Sequence, residues 1–243
     1  MGDKYPNLSK DKSIYYCETP VGNFSLPKYG LDEDAVTNVI SRGKLFEPEV
    51  IELAKKYIKR GSSVLDVGAN FGQMSIEFAK FTGPGGKVYS FEAQDFVFKF
   101  FEKNISNNNI LNIEAVNKAV WNKDGETLYF LDLNIDCGAM YSGNSVSGNK
   151  NTKPVKTITI DSLNIQEPIS FMKVDIEGAD IFAMRGAKNT ILKNKMPILF
   201  EYTQHMQKEF NTSLQDYIEF TESINYKFSE IISGINYLII PKN

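Results

Sequence analysis

The 243-residue chain carries 27 Lys and Arg against 30 Asp and Glu, with one histidine and two cysteines. That length fits one α/β domain, and 42% apolar with 23% charged residues excludes wholesale disorder. The lone His205 excludes a His-rich metal centre. Cys17 and Cys137, with no CxxC, exclude a zinc knuckle, a thioredoxin-like pair and a disulfide scaffold.

A net charge of −3 argues against a nucleic-acid partner. No apolar run reaches the roughly 20 residues of a membrane helix. The start, Met1 to Pro6, has neither the apolar core of a signal peptide nor the myristoylation pattern. A soluble, cytoplasmic protein is the expectation; the oligomeric state is left open.

Residues 1–12 are polar and read as frayed. Ser13 to Pro27 reads as a hairpin anchored by Tyr15, Tyr16 and Phe24, turning at Val21-Gly22-Asn23. Helices follow over Asp32–Ser41 and Pro48–Lys59, the second opening on proline. Residues 1–45 thus form an N-terminal cap and 46–243 the main domain.

A strand–helix rhythm then sets in. Strand Val64–Val67 runs through a glycine turn into a helix ending near Lys80. Strand Lys87–Phe91 and helix Phe96–Asn107 follow, then strands Ile113–Val120 and Thr127–Leu133. Asn134–Pro154, rich in Asn, Gly and Ser, is either a surface insert or a substrate lid. The rhythm resumes with Val155–Ile160, Ile169–Val174, helix Asp180–Lys193, strand Pro197–Tyr202 and helix Ser213–Ile224. Lys227–Ile232 and Tyr237–Ile240 close the chain as an antiparallel hairpin. The alternation predicts a mostly parallel, Rossmann-like sheet with helices on both faces.

The most informative stretch is Asp66-Val67-Gly68-Ala69-Asn70-Phe71-Gly72. Gly68 permits a backbone that side chains forbid, and Gly72 allows a ligand to approach. The spacing is Gly-x-x-x-Gly, not the Gly-x-Gly-x-x-Gly of dinucleotide binders, and no P-loop lysine follows. Glu92, at the end of the second strand, is placed to accept hydrogen bonds from ribose hydroxyls, with Asp66 beside the same crevice. The plainer alternative is that both acids cap helices.

These residues closely resemble the first motif of the FkbM family of S-adenosylmethionine-dependent methyltransferases. The resemblance extends to Phe46-Glu47-Pro48-Glu49, Lys59-Arg60-Gly61, Thr159 to Leu163, Lys173-Val174-Asp175-Ile176-Glu177-Gly178, Arg185-Gly186-Ala187 and Pro197–Glu201. It departs at Glu92-Ala93-Gln94, where the family has Glu-Pro. It implies the class I methyltransferase fold: a seven-stranded, mostly parallel sheet ending in an antiparallel hairpin. It also implies that Gly68, Asn70 and Gly72 line the methionine part of S-adenosylmethionine and that Glu92 holds the ribose. Asn117 is either near the adenine or a turn-stabilising residue.

In such a sheet, reacting groups come from the carboxyl ends of strands. Asp175 and Glu177 end one strand and Glu201 another; the family fold makes these strands neighbours, and carboxylates that close raise one pKa unless balanced. Lys173, on the same face as Asp175, either balances them or snorkels to the rim. His205, four residues past Glu201, is either catalytic or structural, and Glu177 either functions or caps the next helix. No metal is expected. The expected activity is methyl transfer to a hydroxyl of a sugar, glycan or small secondary metabolite, with the acceptor class resting on the resemblance. The alternatives are an NAD-type oxidoreductase and an inactive cofactor-binding protein.

Overall fold

The structure, a computed structural model, describes residues 7–10, 12–133 and 152–242. The chain opens with an antiparallel hairpin, β1 (Ile14–Thr19) and β2 (Gly22–Pro27). Tyr15 and Cys17 face inward while Tyr16 is 40% exposed, so Tyr16 is not the anchor expected. The turn is Pro20-Val21, one step earlier than expected. There Thr19 Oγ1 accepts the amides of Val21 and Gly22. Two helices follow, α1 (Ala35–Ser41), capped by Asp34, and α2 (Pro48–Tyr57).

The main domain then runs β3 (Ser63–Val67), α3 (Gln73–Thr82), β4 (Lys87–Phe91), α4 (Asp95–Asn107), β5 (Ile113–Val116), β6 (Ala119–Val120), β7 (Thr127–Leu131) and β8 (Thr152–Ile158). It continues with β9 (Ile169–Val174), α5 (Asp180–Arg185), α6 (Lys188–Asn194), β10 (Ile198–Glu201), α7 (Gln207–Phe210), α8 (Leu214–Ser223), β11 (Tyr226–Ile232) and β12 (Asn236–Pro241). Seven strands form one sheet in the order β11-β12-β10-β9-β3-β4-β5. Only β12 breaks the parallel run, pairing antiparallel with β10 and β11. Every residue of β3 and of β9 is buried, as central parallel strands covered on both faces require. The expected class I methyltransferase architecture is present. No helix of the described residues is long and apolar enough to cross a membrane.

Two expected elements are divided. Ile113–Val120 is not one strand: β5 stays in the large sheet, whereas β6 joins β8 and β7 in a second, three-stranded sheet. The break is at Asn117, whose side-chain amide donates to the carbonyls of Glu92 (2.9 Å) and Ala93 (3.2 Å) and so holds the chain at the end of β4. The expected helix Asp180–Lys193 is likewise two helices. Asp161 donates its amide to the Gly186 carbonyl and accepts the amides of Asn189 and Thr190, which starts α6 afresh. At the break, Gly186 lies so close to the preceding loop that a Cβ there would sit 1.9 Å from the Trp121 carbonyl oxygen. The insert expected over Asn134–Pro154 lies outside the described residues except for Thr152–Pro154, which begin β8.

The Gly186 contact is steric, since no positive φ constrains that residue. Gly186→Ala is therefore expected to lower unfolding free energy by about 1–3 kcal/mol through overpacking, read as a lower urea midpoint at unchanged m-value.

Candidate active site

At the carboxyl end of β3 the chain needs backbone conformations that few residues supply. Gly68 has φ +85°, and a Cβ there would lie 1.9 Å from the Asp175 carbonyl oxygen, so only glycine lets the end of β9 cross it. The Gly68 and Ala69 amides both donate to the Phe91 carbonyl, which ties the loop to β4. Asn70 takes φ +52°, which asparagine tolerates, and its side chain accepts the Phe71 amide. Its own amide donates to Glu92 Oε2 at 2.9 Å, while the Gln94 amide donates to Oε1 at 2.8 Å. The Gln94 bond closes the turn before α4 and does not cap the helix, whose N-cap is Gln94 with no side-chain cap bond, so the plainer alternative for Glu92 is not met. The same carboxylate also faces a cavity of about 420 Å³, within the range of small-molecule sites.

Gly68, Asn70, Glu92, Asp175, Glu177 and Glu201 all line that cavity. Four other expected site residues do not. Gly72 (φ +87°) packs on the Phe101 ring, so its lack of a side chain serves the core and not a ligand. Asn117 holds the Glu92–Ala93 carbonyls from outside and lines an adjoining pocket instead. Asp66 is fully buried beneath the cavity floor, accepting a 2.5 Å hydrogen bond from Ser75. His205 is exposed because the loop after β10 turns it outward and turns its neighbour Met206 inward over Gly178.

Below the floor, Asp66 and Lys173 are register partners on adjacent strands. Lys173 is 4% exposed, and its ammonium lies 3.1 Å from Asp175 Oδ2 and 4.0 Å from Asp66 Oδ1 while donating to the Gly68 carbonyl at 3.3 Å. Burial works against that charge, but Asp175, Asp66 and Glu47 hold its pKa above the ordinary lysine value. Burial would push Asp175 up, yet the Lys173 ammonium and a hydrogen bond from Glu201 keep it below the usual carboxylate range. Glu201 moves the other way: burial and the Asp175 charge push it well up, so it carries the proton that the pair shares. Asp180 fixes the Glu201 backbone by accepting its amide at 3.1 Å. Burial also pushes Glu92 and Glu177 up, each to about 7.

The remaining walls come from elements that the sequence reading did not connect to the site. Ala35 and Val36 bring in the N-terminal segment, Phe46 and Glu47 the entry to α2, and Leu128 and Phe130 the second sheet. Trp121 also lines the cavity, its ring stacked on Phe182 at 4.3 Å. Glu47 lies within Phe46-Glu47-Pro48-Glu49, a usable signal; Trp121, the chain's single tryptophan, carries none.

A sequence model of the Methyltransferase FkbM domain matches residues 66–228, more than half of the chain. Among solved structures, a Clostridium thermocellum protein named as an rRNA methylase superposes with a TM-score of 0.51 at 11% identity, covering 80% of this chain and 93% of that one. A SAM-dependent methyltransferase from Aquifex aeolicus gives 0.48 at 14%, covering 87% and 95%. A methyltransferase FkbM from Methylobacillus flagellatus gives 0.49 at 14%, covering 88% of this chain and 55% of that one. At 11% identity the first of these speaks to the fold alone. No curated protein sequence matches the chain.

The buried charges give two expected outcomes. Lys173→Met leaves Asp66 and Asp175 without their cation, and a denaturant titration should read a loss of about 3–5 kcal/mol. For Glu92, the unfolded chain sheds its proton near the ordinary 4.5 whereas the folded protein keeps it to about 7, so this residue's contribution falls as pH rises through that window. Relative to the parent, Glu92→Gln should therefore gain stability between about pH 5 and about pH 8, by up to about 3 kcal/mol, measured as the difference in urea midpoints.

Proposed function

The chain belongs to the FkbM family of S-adenosylmethionine-dependent methyltransferases, and from that premise we propose that it methylates an oxygen: the acceptor is a hydroxyl of a sugar, glycan or other small metabolite, held against the Asp175–Glu201 pair. The observation that carries this reading is the Lys173–Asp175–Glu201 arrangement at the edge of the glycine-loop cavity.

The residues present suit the cofactor. Gly68 and Asn70 border the cavity where the glycine loop meets the end of β9, and Glu92, held by two backbone amides, lines the same cavity. Gly68 and Asn70 would border the methionine part and Glu92 would accept the ribose hydroxyls. When bound, the cofactor supplies an electrophilic methyl group on a sulfonium sulfur.

The protein's part is to orient the nucleophile and manage one proton. Asp175, kept ionised by Lys173, would accept a hydrogen bond from the acceptor hydroxyl and so orient a lone pair of that hydroxyl oxygen for attack. As the new bond forms, the oxygen becomes strongly acidic and its proton passes to an Asp175 oxygen. Glu201, already protonated, donates to the same carboxylate and holds its orientation. The N-terminal segment up to residue 45 serves as a cap over one wall, and the apolar Phe46, Val36 and Ile176 help keep water from the reacting atoms.

Isothermal titration should show S-adenosylhomocysteine binding and no binding of NAD; NAD alone binding would return the oxidoreductase alternative. Asp175→Asn should lower kcat by about 10²-fold or more with cofactor affinity little changed. Full turnover by that variant would remove Asp175 from the mechanism. Absence of transfer to every member of a broad hydroxyl panel would favour the inactive alternative.

A further inference from the structure

Among the described residues, only two acidic side chains sit on a left-handed backbone, Glu47 (φ +45°) and Glu177 (φ +56°). Both line the cavity. Asparagine adopts this conformation readily, whereas glutamate does so only where its surroundings demand it. Those surroundings are visible. Glu47 is followed by Pro48 at the entry to α2, and its Oε1 accepts a 3.1 Å hydrogen bond from Asn236, itself 3% exposed. Glu177 precedes Gly178, where a Cβ would come within 2.7 Å of Met206, so the loop after β9 cannot slide.

The two carboxylates converge on Asp175 from different segments, one before β3 and one after β9: the Asp175 charge raises the pKa of each, after burial. Among the described residues no hydrogen-bond donor is directed at the Glu177 carboxylate. Asp175, Glu201 and Glu33 add further acids, while Lys118, the one cation among the described residues that line the cavity, belongs to the wall by Ala93 and Gln94, shared with the adjoining pocket. Lys173 lies below the floor and is already engaged. A cavity so lined offers hydrogen-bond acceptors to hydroxyl groups and repels anions.

We propose that Glu47 and Glu177 each take a hydroxyl of the acceptor beside the one that reacts, so that the acceptor is an uncharged polyol and its phosphorylated or carboxylated relatives are rejected. This rests on the reading that the cavity performs O-methyl transfer, and it names the specificity residues for that reaction. A site built to bond hydroxyls also discriminates strongly against analogues that lack one.

Because Trp121 is the only tryptophan and lines the cavity, intrinsic fluorescence of the full chain saturated with S-adenosylhomocysteine reports occupancy directly. The probes are methyl glycosides of glucose, mannose and galactose, with glucose 6-phosphate and glucuronate as anionic counterparts. At least one neutral glycoside should bind, with its anionic counterparts at least about tenfold weaker. Glu47→Gln and Glu177→Gln should each weaken the neutral ligand about tenfold. Affinity for S-adenosylhomocysteine should stay within about threefold, which also shows that the variants fold. Equal or tighter binding of an anionic member overturns the proposal, as does binding of none, or loss of cofactor affinity in either variant. Polyol binding without methyl transfer would leave this assignment standing and sink the O-transfer reading. Transfer to an anionic acceptor would do the reverse.

Discussion

One buried ammonium organises the site. Lys173 reaches across the gap between the two central strands, meeting Asp66 on β3, Asp175 beyond the end of β9 and the carbonyl of Gly68. A lysine with 4% exposure is tolerable only because these partners surround it. The glycine loop and the acid-bearing loop are thereby joined through a charge as well as through the close contact that Gly68 permits. The two loops that border the cavity are held to each other at this point.

That single cation serves more carboxylates than it can neutralise. Asp175 takes the largest share and stays ionised; Glu201, hydrogen-bonded to it, keeps a proton; Glu92 and Glu177 titrate near neutrality. The distribution follows from partners and burial and not from residue type, since Asp66, an aspartate like Asp175, is pushed up by its burial. The arrangement favours a cationic sulfonium and hydroxyl donors over anions.

Much of this was legible in the chain. The glycine turn after a short apolar strand, the acid at the end of the next strand, the mostly apolar strand around Lys173 and the closing hairpin each have a local cause, and the structure shows all of them. What could not be read depended on partners distant in sequence. The Asn117 break is set by carbonyls at the end of β4, and the Gly186 break by Asp161 and the Trp121 backbone. Gly72 and Asp66 looked like ligand residues because their positions fit a motif. Their side-chain environments, the Phe101 ring and the Ser75 hydroxyl, exist only once the helices pack. The position of His205 has a similar cause: a loop decides which of two neighbours faces inward, and here it is Met206 that packs over Gly178.

The outward histidine bears on how the site works. A base with a pKa near neutrality is needed when an enzyme must remove a proton before or while a weak nucleophile attacks. Attack on a sulfonium methyl is different, because the oxygen loses its hold on the proton only as the carbon–oxygen bond forms. A carboxylate of low basicity then suffices, provided that it is ionised, correctly placed and shielded from water. Keeping a buried carboxylate ionised is an electrostatic problem, and a lysine beneath it solves that problem where a histidine beside it would not. On the proposed O-transfer reading Lys173 meets that requirement, and it does so without the exposed His205.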